Sequence, residues 1–178
     1  REMPRRIAIL GSFNWIAKRM NLEAFLALAA PSFEKAGGEI LVVGDMPKTD
    51  ARGLESRFKA VRVTGRVEDV GPYLKESRLG IIPERTGGGF KLKMLTYIFH
   101  RLPIACLEGS VAGLPLRAGE AFLAFPDMEH LAKGALAALD DLMLLDRLQE
   151  KAFSQCRGKH DWAERGAALA ALLQLGRS

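Results

Sequence analysis

The chain has 178 residues, 48% of them hydrophobic and 26% charged, with a formal net charge of +5, which fits one globular domain with a full core. Its lysines and arginines are scattered without interleaved aromatics, which speaks against nucleic acid as a partner and leaves anionic small ligands or an anionic membrane surface. No apolar run approaches the ~20 residues of a membrane span, and Cys106 and Cys156 lack partners at metal-ligand spacing, so they read as reduced structural thiols of a cytoplasmic protein.

The first residue is Arg1 rather than Met, so the chain is expected to be a piece of something longer. The first apolar run, residues 7–10, ends in Gly11-Ser12 and predicts a buried strand. Residues 22–35 carry apolar positions at 22, 25, 26, 28 and 29, a helical stripe that Pro31 should kink or trim. Strands follow at 40–43, ending in Gly44-Asp45, and at 61–64, ending in Gly65. A short helix is predicted over 70–77 and a strand over 79–82, ending at Pro83. A helix over 91–101, which stops before Pro103, leads to strands at 103–107 and 121–125. Helices alone remain after that, at 128–139, 142–155 and 161–175. Strand and helix alternate, so the expected fold is α/β: a Rossmann-like doubly wound parallel sheet of about six strands, helices on both faces, and a C-terminal helical tail.

Ligands of such sheets sit beyond the carboxyl ends of the strands. Glycine follows most strands here, where it serves a tight turn or a close ligand equally well. Gly87-Gly88-Gly89, followed by Lys91 and Lys93 at a predicted helix start, is the richest of these turns. Glycines before a helix N-terminus let a phosphate approach bare N–H groups, and lysines add charge. Read alone, the stretch fits such an anion site and fits a flexible loop before a solvated helix face. It is neither a P-loop nor a dinucleotide fingerprint, because the required spacings are missing. Asp45 fits a ribose contact or a turn cap. Lys18 and Arg19 fit a phosphate contact or a solvated loop.

The run Pro83, Arg85, Gly87, Gly89, Lys91, Lys93, Leu95 and Leu102-Pro103-Ile104 resembles the P-L-R-x-G-x-G-x-K-x-K-x-L-E-A…G-x-P-V-V segment of family 4-like glycosyltransferases (glycosyl transferases group 1) of the GT-B fold. In family order, Gly11-Ser12-Phe13-Asn14-Trp15 with Asn21 is similar to the opening G-S-x-x-W…N, and residues 40–44 are similar to the second strand. Residues 64–70 are similar to T-G-R-V-x-D-V, Gly113-Leu114 to a later E-G-L, and His160-Asp161-Trp162 to a tail reading Y-S-W.

The resemblance implies the C-terminal, donor-binding domain of a two-domain enzyme of surface-polysaccharide biosynthesis, spanning residues 1–178, with the N-terminal acceptor domain absent. It implies a UDP- or GDP-sugar as donor, a glycan or lipid-linked acceptor, retention of configuration, no metal or other cofactor, and a cytoplasmic or peripheral membrane location. Gly11 and Ser12 would face the donor phosphates, Arg66 and Val67 would flank the base, and Arg85, Gly87, Gly88 and Gly89 would hold the diphosphate or sugar. Lys91 or Lys93 would neutralise the leaving diphosphate. Gly88 and Thr96 stand where many members carry paired glutamates, the second of which grips the ribose. Thr96 would hold a hydroxyl as a neutral partner, less strongly than a carboxylate. Tyr97 replaces a small residue, as does Arg101. The alternative reading is a non-catalytic nucleotide-binding or assembly module of the same fold; a third is another doubly wound domain, such as half of an epimerase.

Overall fold

A computed structural model describes residues 3–84, 92–110 and 114–157. The chain runs β1 (Arg6–Leu10), α1 (Ile16–Lys35), β2 (Glu39–Val43), α2 (Lys48–Arg57), β3 (Val61–Val63) and α3 (Gly71–Lys75). It continues through β4 (Leu79–Ile82), α4 (Leu92–Phe99), β5 (Ile104–Leu107), β6 (Leu123–Phe125), α5 (Met128–Ala138) and α6 (Leu142–Cys156). The strands form one parallel sheet in the order β3-β2-β1-β4-β5-β6. The expected doubly wound α/β architecture is therefore present. The chain winds outward from β1 to β3, returns past β1 to β4, and winds outward again. The reversal opens a crevice at the carboxyl ends of β1 and β4.

Alternate residues of each strand feed two separate cores. Ile7, Ile9, Ile40, Val42, Leu79 and Ile81 pack against Phe25, Leu26 and Phe33 of α1 and Leu131 and Ala135 of α5. Ala8, Leu10, Leu41, Val43, Ile82 and Ile104 pack against Leu74 of α3, Met94, Tyr97 and Ile98 of α4, and Ala152 and Cys156 of α6. Both faces are covered, which is why the strands read as unbroken apolar runs. Cys106 and Cys156 are buried and neither forms a disulfide.

Several boundaries differ from the sequence expectation. Helix α1 begins at Ile16 rather than residue 22, because its first turn exposes Ile16 and Met20 and carries no buried stripe. It also runs through Pro31 to Lys35. A proline in a helix interior costs about 3 kcal/mol, but full burial of Phe33 just beyond it contributes about 1.5–3 kcal/mol. Helix α2 was not expected, since Leu54 is its only buried residue. Strands β3 and β6 are three residues each. Ala121 and Phe122 are buried ahead of β6, and Phe122 bridges to Ala118 instead. The expected helix at 161–175 lies outside the described residues.

The N-terminal rim of the sheet is tied by arginines. Arg78, 8% exposed, donates to the carbonyls of Met3 and Leu139. Arg5 donates to both carboxylate oxygens of Asp140, at 2.8 and 2.7 Å. The opposite rim, at the strand carboxyl ends, is where the cleft lies.

Candidate functional site

The turns after β1 and β2 close on one another. Gly11 N–H donates to the Val43 carbonyl at 3.1 Å, and Phe13 N–H donates to the Asp45 carbonyl at 2.7 Å. This folds the Phe13 ring under the turn, where a Cβ on Gly11 would lie 2.7 Å from it. Gly44 has φ +141°, and a Cβ there would lie 1.7 Å from the Gly11 carbonyl oxygen. Gly44 also bridges to Gly65 after β3. Three strand ends thus meet through glycine backbone, with no side chain between them.

Above them lies a cleft of about 360 Å³. Leu10 and Gly11 line it from β1, Val43, Gly44 and Asp45 from β2, Arg66, Val67 and Val70 from beyond β3, and Lys93 and Thr96 from α4. Lys93 and Thr96 are three apart on a helix and therefore share one face. Five residues singled out in the sequence, Gly11, Arg66, Val67, Lys93 and Thr96, come together here from three distant segments. Ser12 is exposed on the same turn but does not line the cleft. Arg85, Gly87, Gly88, Gly89 and Lys91 lie outside the described residues.

The charges are arranged unequally. Lys93 Nζ donates to both carboxylate oxygens of Glu84, at 2.7 Å each. Both side chains are largely buried, 17% and 10% exposed, and the Ser110 hydroxyl donates to the Glu84 carbonyl. Glu84 lies just past the end of β4, after Pro83, so it holds the ammonium at the rim and offsets its charge. Arg66 is exposed and makes no hydrogen bond or ion pair to the described residues. Its charge is therefore not offset by any ion pair among the described residues. Asp45 accepts from Asn14 Nδ2 at 2.8 Å. The Thr96 hydroxyl donates to the Leu92 carbonyl at 3.1 Å, one turn back in its own helix.

Arg19 does not line the cleft. It donates to the Phe13 carbonyl and pairs with Asp50 at 3.4 Å, so it braces the first turn from behind. Lys18 is exposed. Among the described residues no three His, Cys, Asp or Glu side chains gather as a metal cluster, and no helix is long and apolar enough to cross a membrane. Sequence reading missed Glu84, because a pair nine residues apart across a strand end and a helix start has no spacing signature. It also missed the Asn14–Asp45 bond that shapes the rim.

The sequence profile of a family described as "Glycosyl transferases group 1" matches residues 4–141. No curated protein sequence matches the chain. Among solved structures, Anabaena Alr3699/HepE in complex with UDP-glucose superposes with a TM-score of 0.76 at 13% identity, over 96% of this chain and 49% of its own. A mutant of S. aureus TarM, in complex with fondaparinux, α-GlcNAc-glycerol and UDP, gives 0.77 at 13% identity, over 99% of this chain and 36% of its own. The chain therefore spans about half and about a third of those two proteins. The C-terminal domain of the glycosyl transferase group 1 protein LpcC from Francisella tularensis gives 0.72 at 14% identity, over 88% of this chain and 86% of that domain. At these identities the likeness is one of fold.

Proposed function

The chain belongs to the glycosyl transferases group 1 family, and on that premise we propose that its cleft holds the nucleoside diphosphate of a UDP- or GDP-sugar. One observation carries this reading. Gly11 and Gly44 at the ends of β1 and β2, Arg66 and Val67 beyond β3, and the Lys93–Thr96 face of α4 line a single cleft. UDP and UDP-glucose complexes of similarly folded proteins point the same way. Val67 and Arg66 would flank the base, and Gly11 and Ser12 would face phosphate through the backbone. Lys93, with Lys91 and the glycines 87–89 that precede α4 in the sequence, would take the charge that develops on the leaving diphosphate when the sugar bond breaks. The aligned peptides of α4 add a partial positive charge at that end. No step needs a metal or another cofactor, and the anomeric configuration would be retained. The acceptor, a glycan or lipid-linked molecule, would be bound by an N-terminal domain across the cleft, at or near a membrane surface.

Calorimetric titration of the chain with UDP and with GDP tests this. Saturable binding of at least one is expected. Arg66→Ala should weaken it several-fold with the melting temperature unchanged, because the exposed Arg66 side chain makes no hydrogen bond or ion pair to the described residues. No binding of either nucleotide at millimolar ligand would overturn the reading.

A second reading, a non-catalytic binding module, draws support from the engagement of Lys93 by Glu84 and of the Thr96 hydroxyl by its own helix. Transfer activity in the full-length protein removes it. Activity appearing only after Thr96→Glu would favour it.

A further inference from the structure

Strands β1 and β4 pair only at Ile7–Leu79 and Ala8–Gly80, whereas β1 stays paired to β2 as far as Leu10–Val43. The carboxyl end of β1 is therefore released from β4 where the crevice opens. The Tyr97 side chain fills that split. It is fully buried, and its ring lies on Gly80, where a Cβ would come within 2.9 Å of it. Its hydroxyl accepts from Leu10 N–H at 2.8 Å and faces the carbonyls of Ala8 on β1, at 3.2 Å, and Ile81 on β4, at 3.3 Å. One hydroxyl proton serves one of these carbonyls at a time. Burial pushes the phenol's pKa well up, so the group stays a neutral donor and acceptor.

Tyr97 sits one turn after Lys93 and next to Thr96 on α4, and Leu10 is part of the cleft floor. We infer that Tyr97 is a positioning residue for the nucleotide cleft. Its hydroxyl replaces the missing rung between β1 and β4 and fixes the height at which Lys93 and Thr96 stand over Gly11. The inference rests on the proposed nucleotide-binding reading and adds the device that sets the cleft's geometry. A residue with a small side chain at 97 would leave the Leu10 amide without this partner and the ring's space over Gly80 unfilled. α4 would then settle at a different depth.

The test compares the parent chain with Tyr97→Phe and Gly80→Ala, plus Phe33→Leu as a control that loosens the core at the far end of α1. UDP affinity and amide hydrogen exchange are read for each. Tyr97→Phe keeps the ring on Gly80, so the fold is retained, but the Leu10 amide should lose protection. UDP affinity should fall several-fold, because Lys93 and Thr96 no longer stand at the height the hydroxyl sets; the unpaired Leu10 amide itself costs the free and the bound chain alike. Gly80→Ala pushes the ring outward with its hydroxyl intact and should weaken UDP in the same direction. Phe33→Leu should lower the melting temperature and leave affinity unchanged, separating positioning from general stability. A Tyr97→Phe chain with parental affinity, or with full Leu10 protection, overturns the inference while leaving the nucleotide reading standing. A parent chain that binds neither UDP nor GDP overturns both.

Discussion

Gly44→Ala asks whether the strand ends meet as described. At φ +141° the backbone is in a region essentially reserved for glycine, and a residue with a Cβ there costs on the order of 1–3 kcal/mol. The added Cβ would also stand 1.7 Å from the Gly11 carbonyl oxygen. Close carbon–oxygen contacts run at about 3.3–3.6 Å, so the two turns must part by about 1.6 Å. The obstacle is backbone and cannot rotate away, and the turn that moves carries Gly11 on the cleft floor. The expected loss is about 3 kcal/mol or more, which at about 2–4 °C per kcal/mol for a chain of this size lowers the melting temperature by at least about 6 °C. Gly109→Ala is the matched control, since its φ is +78° but no atom of the described residues lies within 4 Å of the added Cβ. It should show the strain alone, about 1 kcal/mol. Urea denaturation with a common slope gives both values. If Gly44→Ala is no worse than Gly109→Ala, the contact between the β1 and β2 turns is wrong, and with it the floor of the cleft.

Two further outcomes concern stability alone. Arg101 has φ +59° at the end of α4, stacks over Phe153 at 4.2 Å, and pairs with Glu150 at 2.8 Å. Arg101→Ala keeps the strain and loses the contacts, while Arg101→Gly loses both, so the glycine variant should be the more stable of the two by about 1 kcal/mol in urea unfolding. A more stable alanine variant would contradict the strained assignment. The hydrogen bond from Arg5 holds the Asp140 carboxyl below its ordinary 3.8, and its charge adds to the effect. A depressed folded pKa contributes stability that is present above the unfolded value and lost as pH falls through the folded one. The urea midpoint should therefore drop from about pH 4 downward, and Asp140→Asn should flatten that drop. An unchanged acid limb would show that the Arg5–Asp140 pair adds nothing.

The sheet was legible because every strand except β3 and β6 is buried on both faces, which prints an unbroken apolar run into the sequence. Helix α2 left no such trace, as Leu54 is its one buried residue and only the small, half-buried Ala51 joins it against the core. The start of α1 was lost because Ile16 and Met20 face solvent and mimic no core stripe. At the site, glycine turns and a lysine-bearing helix start could be read in order along the chain, and Gly11, Arg66, Val67, Lys93 and Thr96 do line one cleft. What could not be read was how side chains meet across elements: Glu84 on Lys93, Asn14 on Asp45, and the Tyr97 hydroxyl between two strands. Such contacts depend on the relative height of helix and sheet, which no periodicity in a single segment encodes. Tyr97 was visible only as an oversized residue in a small residue's place, and its partner Gly80 shows why it fits.

The most direct measurement is a crystal structure of the chain soaked with UDP and, separately, with GDP. The account predicts nucleotide density in the cleft for at least one, with the base beside Arg66 and Val67 and the phosphates between Gly11 and Lys93. Density for either nucleotide elsewhere on the molecule, with that cleft filled only by solvent, would contradict it.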